Sequence, residues 1–314
     1  MTLAEARAIG SRYGLTVSLL EPLREGSVNS NFRLTAASGE RFFMRVYEEQ
    51  AILGAAAELS MIQQLSELGV PTPAPLPATA GGFAAEHAGK PVGVHPWIDG
   101  DILCTARVTP ERTFALGRAL GTVHCCTSKV NAIPAGRFKV SDLYVRLDAI
   151  DGQDRRYADD TRFIRERIAR YDAQLSPSLA RGLIHGDLFR DNVLWRGDEL
   201  VALLDFESAS NGLFVYDLMV CVHAWCYRDA YQLDLVRALF DGYASVRALG
   251  IDEKRTLAGV GALAALRFAT TRITDFSLRC PAGERPVRDY RRFLARLEAL
   301  EGGVLDPIIK EGMS

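Results

Sequence analysis

The run Arg181-Gly-Leu-Ile-His-Gly-Asp-Leu-Phe-Arg-Asp-Asn-Val-Leu-Trp195 is followed by Val201-Ala-Leu-Leu-Asp-Phe-Glu207 and then by Val215-Tyr-Asp-Leu218. Asp187 precedes Asn192 by five residues, and Asp205 follows Asn192 by thirteen. That order suits phosphoryl transfer. One carboxylate orients and deprotonates an acceptor hydroxyl, while an amide oxygen and a second carboxylate hold Mg²⁺ against nucleotide phosphates. Short apolar strands explain the spacing: Leu183-Ile184 leads into Asp187, Val193-Leu194 leads away from Asn192, and Val201 to Leu204 leads into Asp205. The three side chains are expected to meet at one metal-phosphate centre. Asp and Asn are ordinary turn residues when taken singly. It is His-Gly-Asp, the Asn and the Asp-Phe pair in one order that carry the reading.

The rest of the chain must position these groups. After a leading amphipathic helix, strands are expected over 19–24, 32–35 and 41–47, then a helix over 48–68 ending at Gly69. Pro71-Thr-Pro-Ala-Pro-Leu-Pro77 breaks helix periodicity, and two more strands follow, over 82–86 and 91–98. This gives a five-stranded antiparallel sheet with one main helix. From Thr109, a good N-cap, the pattern turns helical, over 110–127, 141–150 and 160–175, with a polar loop over 151–159. Beyond the catalytic hairpins, helices are expected over 215–226, 230–249, 252–271 and 287–300. The fold class is α/β in an α+β arrangement. The boundary falls near Gly100 to Val108, giving domains 1–100 and 101–314.

Composition sets the bounds. The chain has 314 residues, 48% hydrophobic and 24% charged, with net charge −2. Its sequence pI near 6.2 and mean hydropathy of +0.02 are those of an ordinary globular protein, and no basic face advertises nucleic-acid or anionic-membrane binding. Met1 to Leu15 lacks the apolar core of a signal peptide, and no stretch reaches the roughly 18 apolar residues of a membrane span. Six cysteines, at 104, 125, 126, 221, 226 and 280, show no disulfide framework, so a reduced, cytoplasmic protein is expected. Cys221, His223 and Cys226 do not share a helix face, which favours packing over zinc. His124, on an apolar helical face, reads as a core histidine.

The segment from His185 to Leu194, with Tyr216-Asp-Leu and Ala224-Trp-Cys226, resembles the aminoglycoside phosphotransferase and choline kinase superfamily, and within it the bacterial homoserine kinases. The resemblance runs from about Glu25 to Leu297. It implies a two-lobed protein-kinase-like fold, with a small nucleotide-binding N-lobe and a mainly helical catalytic C-lobe. ATP and Mg²⁺ would bind between the lobes. Asp187 would be the catalytic base, and Asn192 and Asp205 the metal ligands. Glu25 to Asn31 would cover the phosphates through Ser27, Asn29 and Ser30. Arg45 stands where the superfamily usually has Lys, and Glu58 is its expected partner. His95 to Trp97 would present main-chain groups to adenine.

On the acceptor side the resemblance makes His185 and Asp217 scaffold residues of the catalytic loop. Arg267 and Arg272 are the expected clamp for a substrate carboxylate, with Arg190, Glu207 and His223 as further candidates. Glu207 and His223 stand where homoserine kinases often carry an aromatic and an Asn. The expected reaction converts L-homoserine to O-phospho-L-homoserine in threonine biosynthesis. The alternatives are a kinase of an aminoglycoside, choline, ethanolamine or a related amino alcohol, or a nucleotide-binding pseudokinase that regulates a partner. A monomer or homodimer is expected.

Overall fold

The computed structural model describes residues 1–23, 29–134, 139–279 and 288–311. In chain order the elements are α1 (Leu3–Ser11), β1 (Val17–Leu23), β2 (Ser30–Ala36), β3 (Arg41–Val46), α2 (Ile52–Glu67), β4 (Ala85–His87), β5 (Lys90–Pro96) and α3 (Pro110–Cys125). They continue with α4 (Val140–Gln153), α5 (Ala158–Asp172), β6 (Arg181–Ile184), β7 (Val193–Arg196), β8 (Glu199–Leu203), β9 (Ser210–Leu213) and α6 (Phe214–Trp225). The last are α7 (Leu233–Ala244), α8 (Ile251–Arg272), α9 (Arg291–Glu301) and α10 (Asp306–Glu311). Two compact units emerge. The first comprises 1–102, 128–132 and 192–207, and the second 103–127, 133–191 and 208–314.

The first unit is the expected five-stranded sheet, in the order β1-β2-β3-β5-β4, with antiparallel pairing throughout. Alternation decides its faces. Phe42, Met44 and Val46 of β3 are buried while Arg41, Phe43 and Arg45 point the other way. The first set joins Val92 and Val94 of β5, Ala6 and Ile9 of α1, and Tyr13 just beyond it in one apolar cluster. On the opposite face, a Cβ added at Gly93 would lie 2.9 Å from Leu59, so α2 packs hard against the sheet beside Arg45. Thr2 starts α1 with a capping box: its N–H donates to the Glu5 carboxylate at 2.6 Å and its hydroxyl accepts from Glu5 N–H at 3.3 Å. The β7–β8 hairpin also belongs to this unit.

The second unit is mainly helical. Helix α8 carries Gly261-Ala-Leu-Ala-Ala-Leu266, buried on every side, as a helix wrapped by α5, α6 and α9 must be. Leu143, Leu147, Ile164, Ile168, Phe293 and Leu297 complete that core. Helices α3 and α7 cross backbone to backbone. A Cβ on Gly117 would come within 2.2 Å of Leu239 O, and one on Gly242 within 2.0 Å of Phe114 O, so only glycine fits at either position. No described helix is long and apolar enough to cross a membrane.

Four features depart from the pattern. The polar 151–159 segment, expected as a loop, is helical to Gln153, then capped by Asp154 into a single 3₁₀ turn that leads directly into α5. The Asp154 carboxylate accepts from Arg156 N–H at 3.0 Å, so a turn-forming residue serves here as a cap. Strand β9 and helix α10 were not apparent from the sequence, both being short. Helix α8 ends in a π-turn over Ile273–Ser277.

Candidate active site

In the first unit, Arg45 lies on β3 between Asn31 of β2 and Gly93 of β5. Its side chain is 13% exposed. Nη1 donates to Asp205 Oδ1 at 2.9 Å and Nε to Asn31 Oδ1 at 3.2 Å. Burial opposes the charge, but the Asp205 carboxylate outweighs that penalty and holds the guanidinium above its ordinary pKa. Asp205 itself has φ of 62°, a left-handed conformation that a residue with a side chain rarely adopts. Such strain, of the order of 1–3 kcal/mol, tends to be retained where a side chain must be aimed. Leu204 N–H donates to Asn192 O at 2.8 Å, and Val193 pairs with Leu203, so Asn192 and Asp205 stand at the same end of the β7–β8 hairpin.

Glu58 is not the ion-pair partner of Arg45. It is buried, and its carboxylate accepts from Gln50 Nε2 at 3.0 Å and Tyr47 OH at 3.3 Å, with its pKa raised by burial. Arg45 pairs with Asp205, while Glu58 acts on it only through its charge. Of the expected phosphate loop, Ser27 lies outside the described residues. Asn29 donates to Glu207 Oε2 at 2.9 Å and accepts from Glu48 N–H at 3.2 Å, while Ser30 donates to Glu48 Oε1 at 2.5 Å. Glu207 thus bonds the loop residue Asn29 within the first unit.

At the expected adenine contacts, His95 and Trp97 already make contacts within the first unit. Trp97 N–H is spent on Arg41 O at 3.0 Å, extending the β3–β5 ladder. His95 is buried opposite Phe43, its Nδ1 3.0 Å from Pro73 O, and burial pushes its pKa down to about 4.

In the second unit, β6 pairs with β9 and delivers His185, Gly186 and Asp187. Gly186 has φ of 77°, and a Cβ there would press on Ser208 O at 2.7 Å. Both facts require glycine ahead of Asp187. Beneath this turn lies Asp217, fully buried on α6. Its carboxylate accepts from His185 N–H at 2.6 Å, Gly186 N–H at 2.8 Å and His124 Nε2 at 3.1 Å. Burial would raise its pKa, but the His124 hydrogen bond and the surrounding donors hold it below the usual value. Tyr243 OH lies 2.7 Å from His124 Nδ1 and itself accepts from Arg247 Nη1 at 3.1 Å. A neutral His124, protonated on Nε2, satisfies every member of this chain.

Asp187 has a 37% exposed side chain and receives Arg267 Nη1 on Oδ1 at 3.2 Å. Arg267, 5% exposed on α8, also lies over the Phe268 ring at 3.9 Å. The sequence pointed to Arg267 as half of a substrate clamp. In the structure its guanidinium donates to Asp187. His223 is corrected too: it is fully buried, with Nε2 2.8 Å from Gly261 O and Nδ1 2.8 Å from Tyr231 OH, and burial takes its pKa down to about 3. Arg272 donates to Asp289 O at 3.1 Å, and Arg190 to Thr105 Oγ1. Tyr216 stands in the sequence only as part of the Tyr216-Asp-Leu motif, with no role of its own. Its hydroxyl is buried with no hydrogen-bond partner among the described residues, in the field of Arg267, Asp187 and Asp217, and burial raises its pKa to about 12. Its place beside Asp217 in Val-Tyr-Asp was the available signal.

A five-stranded antiparallel sheet carrying a buried Arg–Asp pair, and a helical unit whose loop presents a braced aspartate, define a protein-kinase-like phosphotransferase of small molecules. A model described as the APH phosphotransferase enzyme family matches residues 19–249, and the chain belongs to that family. A homoserine kinase of Xanthobacter autotrophicus is 30% identical over 305 residues, covering 94% of this chain and 92% of the relative. One of Agrobacterium fabrum is 32% identical over 286 residues, covering 88% and 86%. Among solved structures, an amicoumacin kinase in complex with AMP-PNP, Ca²⁺ and amicoumacin superposes with a TM-score of 0.72 at 16% identity, covering 96% and 93%. A choline kinase of Cryptosporidium parvum does so at 0.63 and 15%, covering 93% and 91%. At these identities the two structures establish the fold.

Proposed function

We propose that this enzyme transfers the γ-phosphate of ATP to the side-chain hydroxyl of L-homoserine, giving O-phospho-L-homoserine and ADP. The observation that carries the chemistry is Asp187: a partly exposed carboxylate at the end of a braced loop, gripped by a buried arginine. The support for the acceptor is the shared name of relatives at about 30% identity over most of both chains.

Asn192 and Asp205 fit a divalent cation. Mg²⁺ takes oxygen ligands and is held by one or two carboxylates, with phosphates and water supplying the rest. One amide oxygen and one strained, partly exposed carboxylate are such a donor set. When bound, Mg²⁺ would neutralise charge on the nucleotide phosphates. Arg45, already at Asp205, would steady the phosphates that are not transferred, with a planar fork where Lys would be a point charge. Asn29 and Ser30 would add loop donors.

In the reaction, Asp187 accepts the proton of the acceptor hydroxyl while its oxygen bonds to the γ-phosphorus. The bond from that phosphorus to the β–γ bridging oxygen breaks, and ADP leaves with the electron pair. Arg267 holds the Asp187 carboxylate in place, and Asp217 holds the main chain of the loop. Little covalent work falls to the protein; alignment and charge placement supply most of the acceleration.

A coupled ADP-release screen tests the reading across homoserine, choline, ethanolamine and an aminoglycoside. Turnover is expected with homoserine. Turnover on choline with none on homoserine would overturn the proposed acceptor.

A further inference from the structure

Arg45 and a divalent cation have competing claims on Asp205. The guanidinium bonds Asp205 Oδ1 through Nη1 at 2.9 Å and Asn31 Oδ1 through Nε at 3.2 Å, two contacts made by one planar fork. An ammonium on a flexible stem could not make both in that geometry, so Arg grips Asp205 more firmly than Lys would. The strand fixes its approach: Arg45 stands between Asn31 of β2 and Gly93 of β5, with the Phe43 ring 5.7 Å from the guanidinium carbon. Glu58, a second acid in its field, is taken up by Tyr47 OH and Gln50 Nε2.

Asp205 is fixed as well. Its left-handed φ of 62° and its place at the end of the β7–β8 hairpin, beside Asn192, aim the carboxylate at one spot. Arginine and cation must therefore meet there. A carboxylate oxygen can serve two partners, but the group has one negative charge, and the guanidinium at 2.9 Å already balances it. A divalent cation drawn to Asp205 would be repelled by that guanidinium across a few ångströms, in a site screened less well than open water. Nucleotide phosphates change the balance, because their several negative charges can satisfy both cations at once.

We infer that Arg45 restrains Asp205 from binding a divalent cation until nucleotide phosphates take up the guanidinium, so that cation and nucleotide bind as a coupled pair. The coupling is reciprocal: each ligand improves the site for the other. It rests on the ligand roles given to Asp205 and Arg45 in the proposed function, and not on the identity of the acceptor.

Mn²⁺ alone is the probe, titrated by electron paramagnetic resonance in the absence of nucleotide. Arg45→Gln is expected to bind Mn²⁺ about 10-fold or more tightly than the wild type, the scale of a charge-assisted contact released. Arg45→Lys keeps the charge but loses the fork; a gain of about threefold is expected, and this milder variant serves should the Gln chain not fold. In the double variant Arg45→Gln/Asp205→Asn the gain is expected to vanish. Reciprocally, calorimetry in EDTA is expected to show AMP-PNP binding Asp205→Asn several-fold more tightly than the wild type, because Arg45 is then released to the phosphates. Mn²⁺ affinity no greater in Arg45→Gln and Arg45→Lys than in the wild type would overturn this inference and leave the proposed function standing. A gain that survives in the double variant would overturn both the inference and the place of Asp205 as a metal ligand, while turnover of homoserine is read independently by the ADP-release screen.

Discussion

Arg267 Nη1 lies 3.2 Å from Asp187 Oδ1, with the arginine 5% exposed and the aspartate 37% exposed. The asymmetry gives each a role. A buried cation cannot readily leave a carboxylate that solvent still reaches, so Arg267 is the fixed member and Asp187 the one presented to substrate. Arg267→Met is expected to lower kcat about 10- to 100-fold with little change in KM for ATP, because the base loses its orientation. Arg267→Lys is expected to fall between that variant and the wild type, since it keeps the charge without the planar fork. Steady-state kinetics with both substrates varied would check this. A Met variant of normal kcat would remove Arg267 from the reaction.

Asp187→Asn keeps the shape of the loop and removes the proton acceptor. Turnover is expected to drop by about 10³-fold or more, at the upper range for a general base. Nucleotide affinity, measured calorimetrically with AMP-PNP and Mg²⁺, is expected to stay within about threefold. Near-normal turnover would overturn the role of Asp187.

How legible the site was depended on what each residue needed. Asp187, Asn192 and Asp205 stood out because their offsets follow a recognisable order of short strands and turns, two of them at one end of the β7–β8 hairpin. The five-stranded sheet was found because period-two alternation is a local signal as well. Partnerships across the chain were not legible. Arg45 was placed on β3 correctly in sequence, yet Glu58 was assigned to it, and only the three-dimensional position of Asp205 decides that pairing. Arg267 and His223 looked like substrate ligands, being polar residues in apolar helices. Burial makes them partners of Asp187 and of Gly261 and Tyr231. An isolated polar residue in a core helix must be satisfied by something, and sequence does not say by what.

Arg45 and Asp205 make a third test. Asp205→Asn keeps a hydrogen-bond acceptor for Arg45 but discards the negative charge that a divalent cation requires. Nucleotide binding is expected to lose most of its Mg²⁺ dependence, and kcat to fall by at least about 10²-fold. Arg45→Lys is expected to raise KM for ATP by about three- to tenfold, since an ammonium cannot serve Asn31 and Asp205 in one planar fork. An Asn variant that still binds nucleotide in a Mg²⁺-dependent way would remove Asp205 as a metal ligand.

Buried histidines make stability depend on pH on the acid side. His223 has a pKa near 3 and His95 near 4 in the folded protein, both lowered mainly by burial, against about 6.5 in an unfolded chain. Between these values the unfolded state binds the extra protons, so stability is complete above about pH 6.5 and is lost as pH falls. Each such histidine contributes a slope of about 1.4 kcal/mol per pH unit within that window. Glu58 works the other way, because its raised pKa makes the folded state the better proton binder. Comparing the wild type with His223→Gln cancels Glu58 and His95 and isolates one residue. Urea unfolding at pH 7.5, 6.0 and 5.0 is expected to give a variant whose stability falls less steeply below pH 6, by about that slope, even if it is less stable at pH 7.5. Equal slopes would show that His223 takes up its proton without unfolding.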